Sequence, residues 1–169
     1  RKCFMNKNIL ILGGTGFLGK EIAKSLLNEK KFKVYIGDIN PSEIENVHYV
    51  FTDIFDFNNL DKVLSNIDIV INCTGQITNP IHSCLKQNSI GINNIIDAVN
   101  KHAIKLIHLS SVNVYGSSND DTNEKANLNP ENPYSTAKAI AELTIQHRIP
   151  SEKYLIIRLS NLFGEEQKK

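Results

Sequence analysis

The chain has 169 residues, enough for one domain with a full core. Apolar residues make up 41% and charged residues 22%, and the formal net charge of +1 supplies no overall field that would favour nucleic acid or an anionic membrane. The cysteines at 3, 73 and 84 are odd in number and lack CxxC spacing, and the five histidines are scattered; together they argue against a disulfide framework or a zinc site and fit a reducing cytoplasm.

"RKCF" before Met5 reads as an upstream extension, so a domain is expected from residue 5 onward. The first regular run, "NILIL" at 8–12, is apolar and short, too short for a signal h-region or a membrane span. It reads as a buried strand. A helical pattern follows near 17–30, then strand-like runs at 33–37, 47–51, 68–72, 105–110 and 154–159, with further helical stretches near 57–65, 82–101 and 134–147. Apolar strands alternating with helices predict βαβ units and an α/β fold with a parallel sheet buried on both faces. The polar stretch at 116–133 is the one long loop expected, and loops of that length are usually functional or mobile.

Between the first strand and helix stands "GGTGFLG". Gly14, Gly16 and Gly19 satisfy G-x-G-x-x-G, and Gly13, Gly16 and Gly19 satisfy G-x-x-G-x-x-G. Either pattern serves a tight turn, a close backbone approach to a pyrophosphate and close helix–strand packing, with the helix N-terminus aimed at the phosphates. The second strand runs into Asp38, nineteen residues after Gly19. A carboxylate there accepts from an adenosine ribose 2′-OH and repels a 2′-phosphate, which favours NAD over NADP. Asp53, after the third strand, either reaches the adenine or caps the next helix. In "NPYSTAK", Asn132 caps a helix with Pro133 in its first turn, and Tyr134 and Lys138 then share a face at i,i+4. Ser111 ends the fifth strand at the carboxyl edge of the sheet, where ligands bind in open α/β folds.

From about Asn8 to Gly164 the chain resembles the extended short-chain dehydrogenase/reductase family, which includes NAD-dependent nucleotide-sugar epimerases and dehydratases. The resemblance rests on "GGTGFLG", "TDIFD", "VINCTG", "QNSIGINNIIDAV", "LSSVNVYG", "NPENPYSTAK" and "IIRLSNLFG", in that order. Departures are Cys73 and Thr74 where many relatives have alanines, Ile92 for a usual threonine, and Leu12 for a threonine before the loop. The likeness implies a Rossmann-like doubly wound sheet over 5–164, with 165–169 beginning a substrate segment that is largely absent from this chain. It implies NAD contacts from Gly13, Thr15, Gly16, Phe17 and Leu18 in the loop. Further contacts fall to Asp38, Asp53 and Ile54, to Cys73, Thr74 and Gly75, and to Asn88, Tyr134 and Lys138. Ser111, Tyr134 and Lys138 would be catalytic, and Ser111 and Asn161 would meet the substrate.

A phenol with an ordinary pKa near 10 is a poor base at neutral pH, so Tyr134 needs a nearby lysine ammonium and nicotinamide cation to lower it. Val112 and Asn113 follow Ser111, and neither can protonate a leaving hydroxide as a dehydratase requires. The implied activity is therefore an epimerase or ketose reductase acting on a nucleotide sugar, with no nucleic-acid or membrane partner and with a homo-oligomer left open. The alternatives are a dinucleotide-binding module without turnover and the cofactor-binding fragment of a dehydratase. The chain by itself is expected to bind NAD without turning over nucleotide sugars, and to expose an apolar surface near 155–164.

Overall fold

The computed structural model describes residues 7–76, 78–117 and 122–164. Cys3, the stretch before Met5, the 165–169 segment and part of the long polar loop lie outside the described residues. Six strands form: β1 (Lys7–Leu12), β2 (Phe32–Asp38), β3 (His48–Phe51), β4 (Ile69–Asn72), β5 (Lys105–Ser111) and β6 (Tyr154–Leu159). The helices are α1 (Phe17–Asn28), α2 (Phe57–Leu64), α3 (Ile81–Lys86), α4 (Ile92–Lys101) and α5 (Pro133–Arg148).

The strands pair in the order β3-β2-β1-β4-β5-β6, every neighbour parallel. The chain steps outward from β1 to β3, then crosses back and lays β4 on the other side of β1. Leu12 therefore lies in register with both Gly37 and Asn72. Strand order reverses there, and a crevice opens beyond the carboxyl ends of β1 and β4.

Alternation along each strand divides the core. Leu10, Leu12, Val70 and Leu106 pack with Leu60 and Leu64 of α2, Ile95 and Ile96 of α4 and Ile145 of α5. Ile9, Ile11, Val34, Ile36 and Leu109 face the other way, over Ala23 of α1. The helices are thus shared unequally. Leu155 and Ile157, which lie on the α1 side of the sheet, are 53% and 37% exposed, and Phe163 beyond them is 91% exposed. The apolar surface expected near 155–164 is present.

The stretch expected as one helix over 82–101 is divided. A π-helical turn at Gln87–Gly91 separates α3 from α4. Its inserted residue turns polar side chains out of an otherwise apolar helix face toward the end of β4, a device that recurs at functional sites.

Candidate active site

The crevice is built first from backbone. Gly13 has φ +72°, in the left-handed region that suits glycine, and its N–H donates to the Gly37 carbonyl at 2.9 Å. A Cβ on Gly19 would sit 2.5 Å from the Gly13 carbonyl oxygen, so helix and turn meet only because that residue lacks a side chain. Gly16 is the N-cap of α1 and no side chain caps the helix. Its first N–H groups are open to an anion. Asp38 holds the loop from the next strand: one carboxylate oxygen accepts from Thr15 N–H at 3.2 Å and the other from Asn40 N–H at 3.1 Å.

Two cavities share this loop. The first, of about 490 Å³, is lined by Gly13, Thr15, Gly16, Asp38, Asp53, Ile54, Cys73, Thr74 and Gly75, among others. Nearly all of the residues expected to hold the adenosine and pyrophosphate are gathered there. Asp53 is not the cap of α2. Asp56 takes that role, accepting from Asn59 N–H at 3.1 Å, while an Asp53 oxygen turns the local backbone by accepting from Phe55 N–H at 2.8 Å.

The second cavity, about 450 Å³, is lined by Phe17 and Leu18 of α1, Ser111, Asn113, Tyr134 and Asn161, and it shares Gly13, Gly16, Cys73 and Gln76 with the first. Phe17 and Leu18 are thus placed with the expected reaction groups, away from the adenosine end. α5 delivers Tyr134 through a capping box: Ser135 N–H donates to the Asn132 side chain at 2.9 Å, and Asn132 N–H donates to Ser135 Oγ at 3.1 Å. The Ser111 hydroxyl oxygen accepts from Asn113 N–H at 3.2 Å.

Two expected contact residues lie behind the cavity walls. Asn88 is buried, and its amide donates to the Gly75 carbonyl at 3.1 Å and the Cys84 carbonyl at 3.0 Å. With both hydrogens used, it shapes the strand end rather than facing a ligand. Lys138 is completely buried, with Nζ on the Leu109 carbonyl at 2.9 Å. Burial brings its amine down to about 8, against smaller upward pulls from Cys84, Cys73 and Glu142.

The Tyr134 phenol differs from the expectation of a lowered pKa. Burial pushes it up and outweighs the hydrogen bond to Ser111; the Cys84 thiol adds to the rise. Of the two cations expected to lower it, Lys138 is turned to the Leu109 carbonyl and the nicotinamide is not part of the protein.

Three side chains that support the crevice escape the sequence patterns. Gln76 accepts from the Tyr134 hydroxyl at 3.0 Å and donates to the Leu109 carbonyl at 3.0 Å. Gln87 of the π turn accepts from Gly75 N–H at 3.0 Å. Glu142, fully buried on α5, accepts from Arg158 Nε at 3.1 Å and Nη2 at 2.6 Å, and Arg158 also donates to the Glu124 carbonyl at 3.1 Å. That pair ties α5, β6 and the long loop together. Its one signal in sequence is an acid one helical turn beyond Lys138, inside a buried helix face.

The glycine cradle, the uncapped helix end and the Asp38 carboxylate fit a dinucleotide. Among the described residues no three His, Cys, Asp or Glu side chains gather to hold a metal ion, and no helix is long and apolar enough to cross a membrane. The chain is 33% identical over 195 residues to a dTDP-D-glucose 4,6-dehydratase of Dictyostelium discoideum, which covers 95% of this chain and 45% of that protein. It is 28% identical over 172 residues to the N-acetyl-alpha-D-glucosaminyl-diphospho-ditrans,octacis-undecaprenol 4-epimerase of Escherichia coli O157:H7, covering 97% and 51%. Its fold superposes on the dTDP-glucose 4,6-dehydratase of Bacillus anthracis in complex with NAD with a TM-score of 0.83, at 24% identity, over 95% of this chain and 57% of that one. The chain therefore spans about half the length of these relatives. Residues 9–169 match the NAD dependent epimerase/dehydratase family, and the chain belongs to that family.

Proposed function

We propose that residues 5–164 form the NAD-binding domain of an enzyme that acts on a nucleotide sugar by hydride transfer, as an epimerase or a ketose reductase. One observation carries the reading: Ser111, Tyr134 and Asn161 converge on a cavity that shares Gly13 and Gly16 in its lining with the one holding Asp38 and Asp53. Residues 165–169 would lead into the segment that grips the nucleotide end of the substrate.

NAD, held at Gly13, Gly16 and Asp38, would supply the hydride acceptor for a sugar carbon in its oxidised form and the hydride donor in its reduced form. The chain's own groups position the sugar and move its proton. Tyr134 Oη exchanges the proton of the sugar hydroxyl. Ser111 Oγ accepts from Asn113 N–H, and its own proton is shared between Tyr134 and the same sugar oxygen. Lys138, one turn along α5, stabilises the phenolate when charged. Asn161 lies across the cavity as a further contact for the sugar. Asp38, its two oxygens aimed by Thr15 and Asn40, accepts from the ribose 2′-OH.

No carboxylic acid lines the cavity that holds Ser111 and Tyr134 among the described residues. A dehydratase needs an acid there to protonate the leaving hydroxide, so this lining favours the epimerase and reductase branch. Cys73 and Cys84 are free buried thiols, which supports a reducing compartment such as the cytoplasm. Exposed Leu85, Ile140 and Leu143 on α3 and α5 support a homo-oligomer, which sedimentation would test.

Calorimetry with NAD and NADP, beside turnover of a panel of nucleotide sugars by the complete enzyme, tests the reading. NAD should bind more tightly, and the sugar should change configuration or oxidation state without losing water. Folded protein that binds neither cofactor would overturn the reading, and a dehydrated product would move it to the other branch.

A further inference from the structure

Gln76 stands where the two cavities meet and lines both. Its amide is oriented by its neighbours. The Leu109 carbonyl can only accept, and Gln76 Nε2 donates to it at 3.0 Å. Oε1 is therefore the atom that meets the Tyr134 hydroxyl, at 3.0 Å. An amide oxygen has no hydrogen to give, so this bond exists only while Tyr134 supplies the proton. A phenolate at the same place would confront a carbonyl dipole with its negative end forward. The amide can reverse only by surrendering Leu109, the same carbonyl that receives Lys138 Nζ at 2.9 Å.

We propose that Gln76 is a positioning residue that holds Tyr134 as a neutral, hydrogen-bond-donating phenol when no cofactor is bound, and that this contact must be released before Tyr134 can accept a proton. The first clause stands on the hydrogen-bond geometry; the second rests on the function proposed above. The other groups that bear on Tyr134 are Ser111 at the end of β5, Cys84 on α3, Cys73 after β4 and Lys138 on its own helix. The segment Leu159–Leu162 lines the cavity without a titratable side chain. Ser111 favours the phenolate and Cys84 opposes it. Among the described residues, Gln76 is the one neighbour whose hydrogen bond requires the neutral form.

The test is the titration of Tyr134 by NMR in protein carrying 13C at the tyrosine ring Cζ, with Tyr134→Phe identifying its resonance among the five tyrosines. Without NAD the wild-type midpoint should lie above the ordinary tyrosine range. Gln76→Ala removes the acceptor and admits water, and the midpoint should fall by about half to one pH unit. Gln76→Glu keeps the size and adds a negative acceptor, and the midpoint should rise. Unmoved midpoints in both variants, with the other tyrosine resonances in place, would overturn the proposal. If Gln76→Ala fails to fold, Gln76→Glu decides alone. With saturating NAD the gap between wild type and Gln76→Ala should close; a gap that persists overturns the release step. Absence of NAD binding strikes both the release step and the function reading, while the cofactor-free titration still decides the first clause.

Discussion

The two halves of the crevice are made by different means. On the β1–β4 side the crevice surface is mostly backbone: a turn that needs Gly13, a helix end left uncapped at Gly16, a contact that tolerates only Gly19. On the β5–β6 side it is side chains held by other side chains and carbonyls. Tyr134 rests on Gln76, Gln76 and Lys138 share the Leu109 carbonyl, and α5 is tied to β6 by Glu142 and Arg158. Binding a pyrophosphate asks only for N–H groups in the right places, which backbone supplies. Moving a proton asks for a group whose protonation can change, and its environment must be tuned by neighbours.

Tyr134→Phe in the complete enzyme should break the second half and spare the first. Turnover should fall by about 10²–10⁴, the usual contribution of a general acid–base group, while NAD affinity changes only a few-fold. A Phe variant retaining a third of wild-type turnover would assign the proton to another group.

Glu142→Gln tests whether the second half depends on its buried pair. It leaves the Arg158 guanidinium, 15% exposed at its side chain, without its charge partner. Breaking a buried pair from one side costs about 3–5 kcal/mol. Urea denaturation should show a loss of that order, and a loss below about 1 kcal/mol would mean the pair does not tie α5 to β6.

The difference between the halves also explains what could be read in advance. Strands, helices and the glycine loop were legible because each is a local pattern: an apolar run, a helical period, glycines at fixed offsets. Asp38 and Asp53 were legible as acids at strand ends, although Asp56, not Asp53, caps α2. What escaped was partnership across the fold. Nothing local marks Gln76 as the partner of Tyr134, 58 residues away, or Asn88 as a brace for Gly75. The π turn escaped for a related reason, since a helical period continues on both sides of it and only the polar pair Gln87 and Asn88 disturbs the face. Lys138 was expected to help lower Tyr134, yet in the protein alone burial governs both groups.

That burial has a consequence for stability against pH. Lys138 titrates at about 8 when folded and near its ordinary value, about 10.5, when unfolded. Between those values the unfolded chain binds more protons, so this group makes stability rise with pH from about 8 and weakens it as pH falls. Burial pushes the Cys73 thiol up to about 12 and raises Cys84, so above pH 9 the thiols act in the opposite direction. The rise should therefore be blunted above pH 9 in the wild type. With both buried cysteines replaced by alanine, stability should climb by about 1–2 kcal/mol between pH 8 and pH 9.5, and adding Lys138→Met should flatten it. A climb that survives Lys138→Met would assign the proton elsewhere.

The smallest expected effect separates the halves most cleanly. Asp56 caps α2 on the first side and Asn132 caps α5 on the second. Each side chain satisfies one free N–H at a helix start, and replacing either with alanine costs about 1 kcal/mol. Equal losses of stability are therefore expected from Asp56→Ala and Asn132→Ala. Their effects on Tyr134 should differ. Tyr134 lies in the first turn of α5, two residues after Asn132, and the reciprocal bonds between Asn132 and Ser135 hold that turn in place. Fraying there moves the phenol relative to Gln76 and Ser111, whereas fraying at Asp56 touches the entry to α2 and, through Asn59, the Asp53 backbone, both far along the crevice from Tyr134. The Tyr134 resonance and the turnover of the complete enzyme should change in Asn132→Ala and stay at wild-type values in Asp56→Ala. If both variants leave Tyr134 untouched, the tyrosine is held by Gln76 and the body of α5 rather than by the cap. If both disturb it equally, the two halves of the crevice are coupled and the division drawn between them fails.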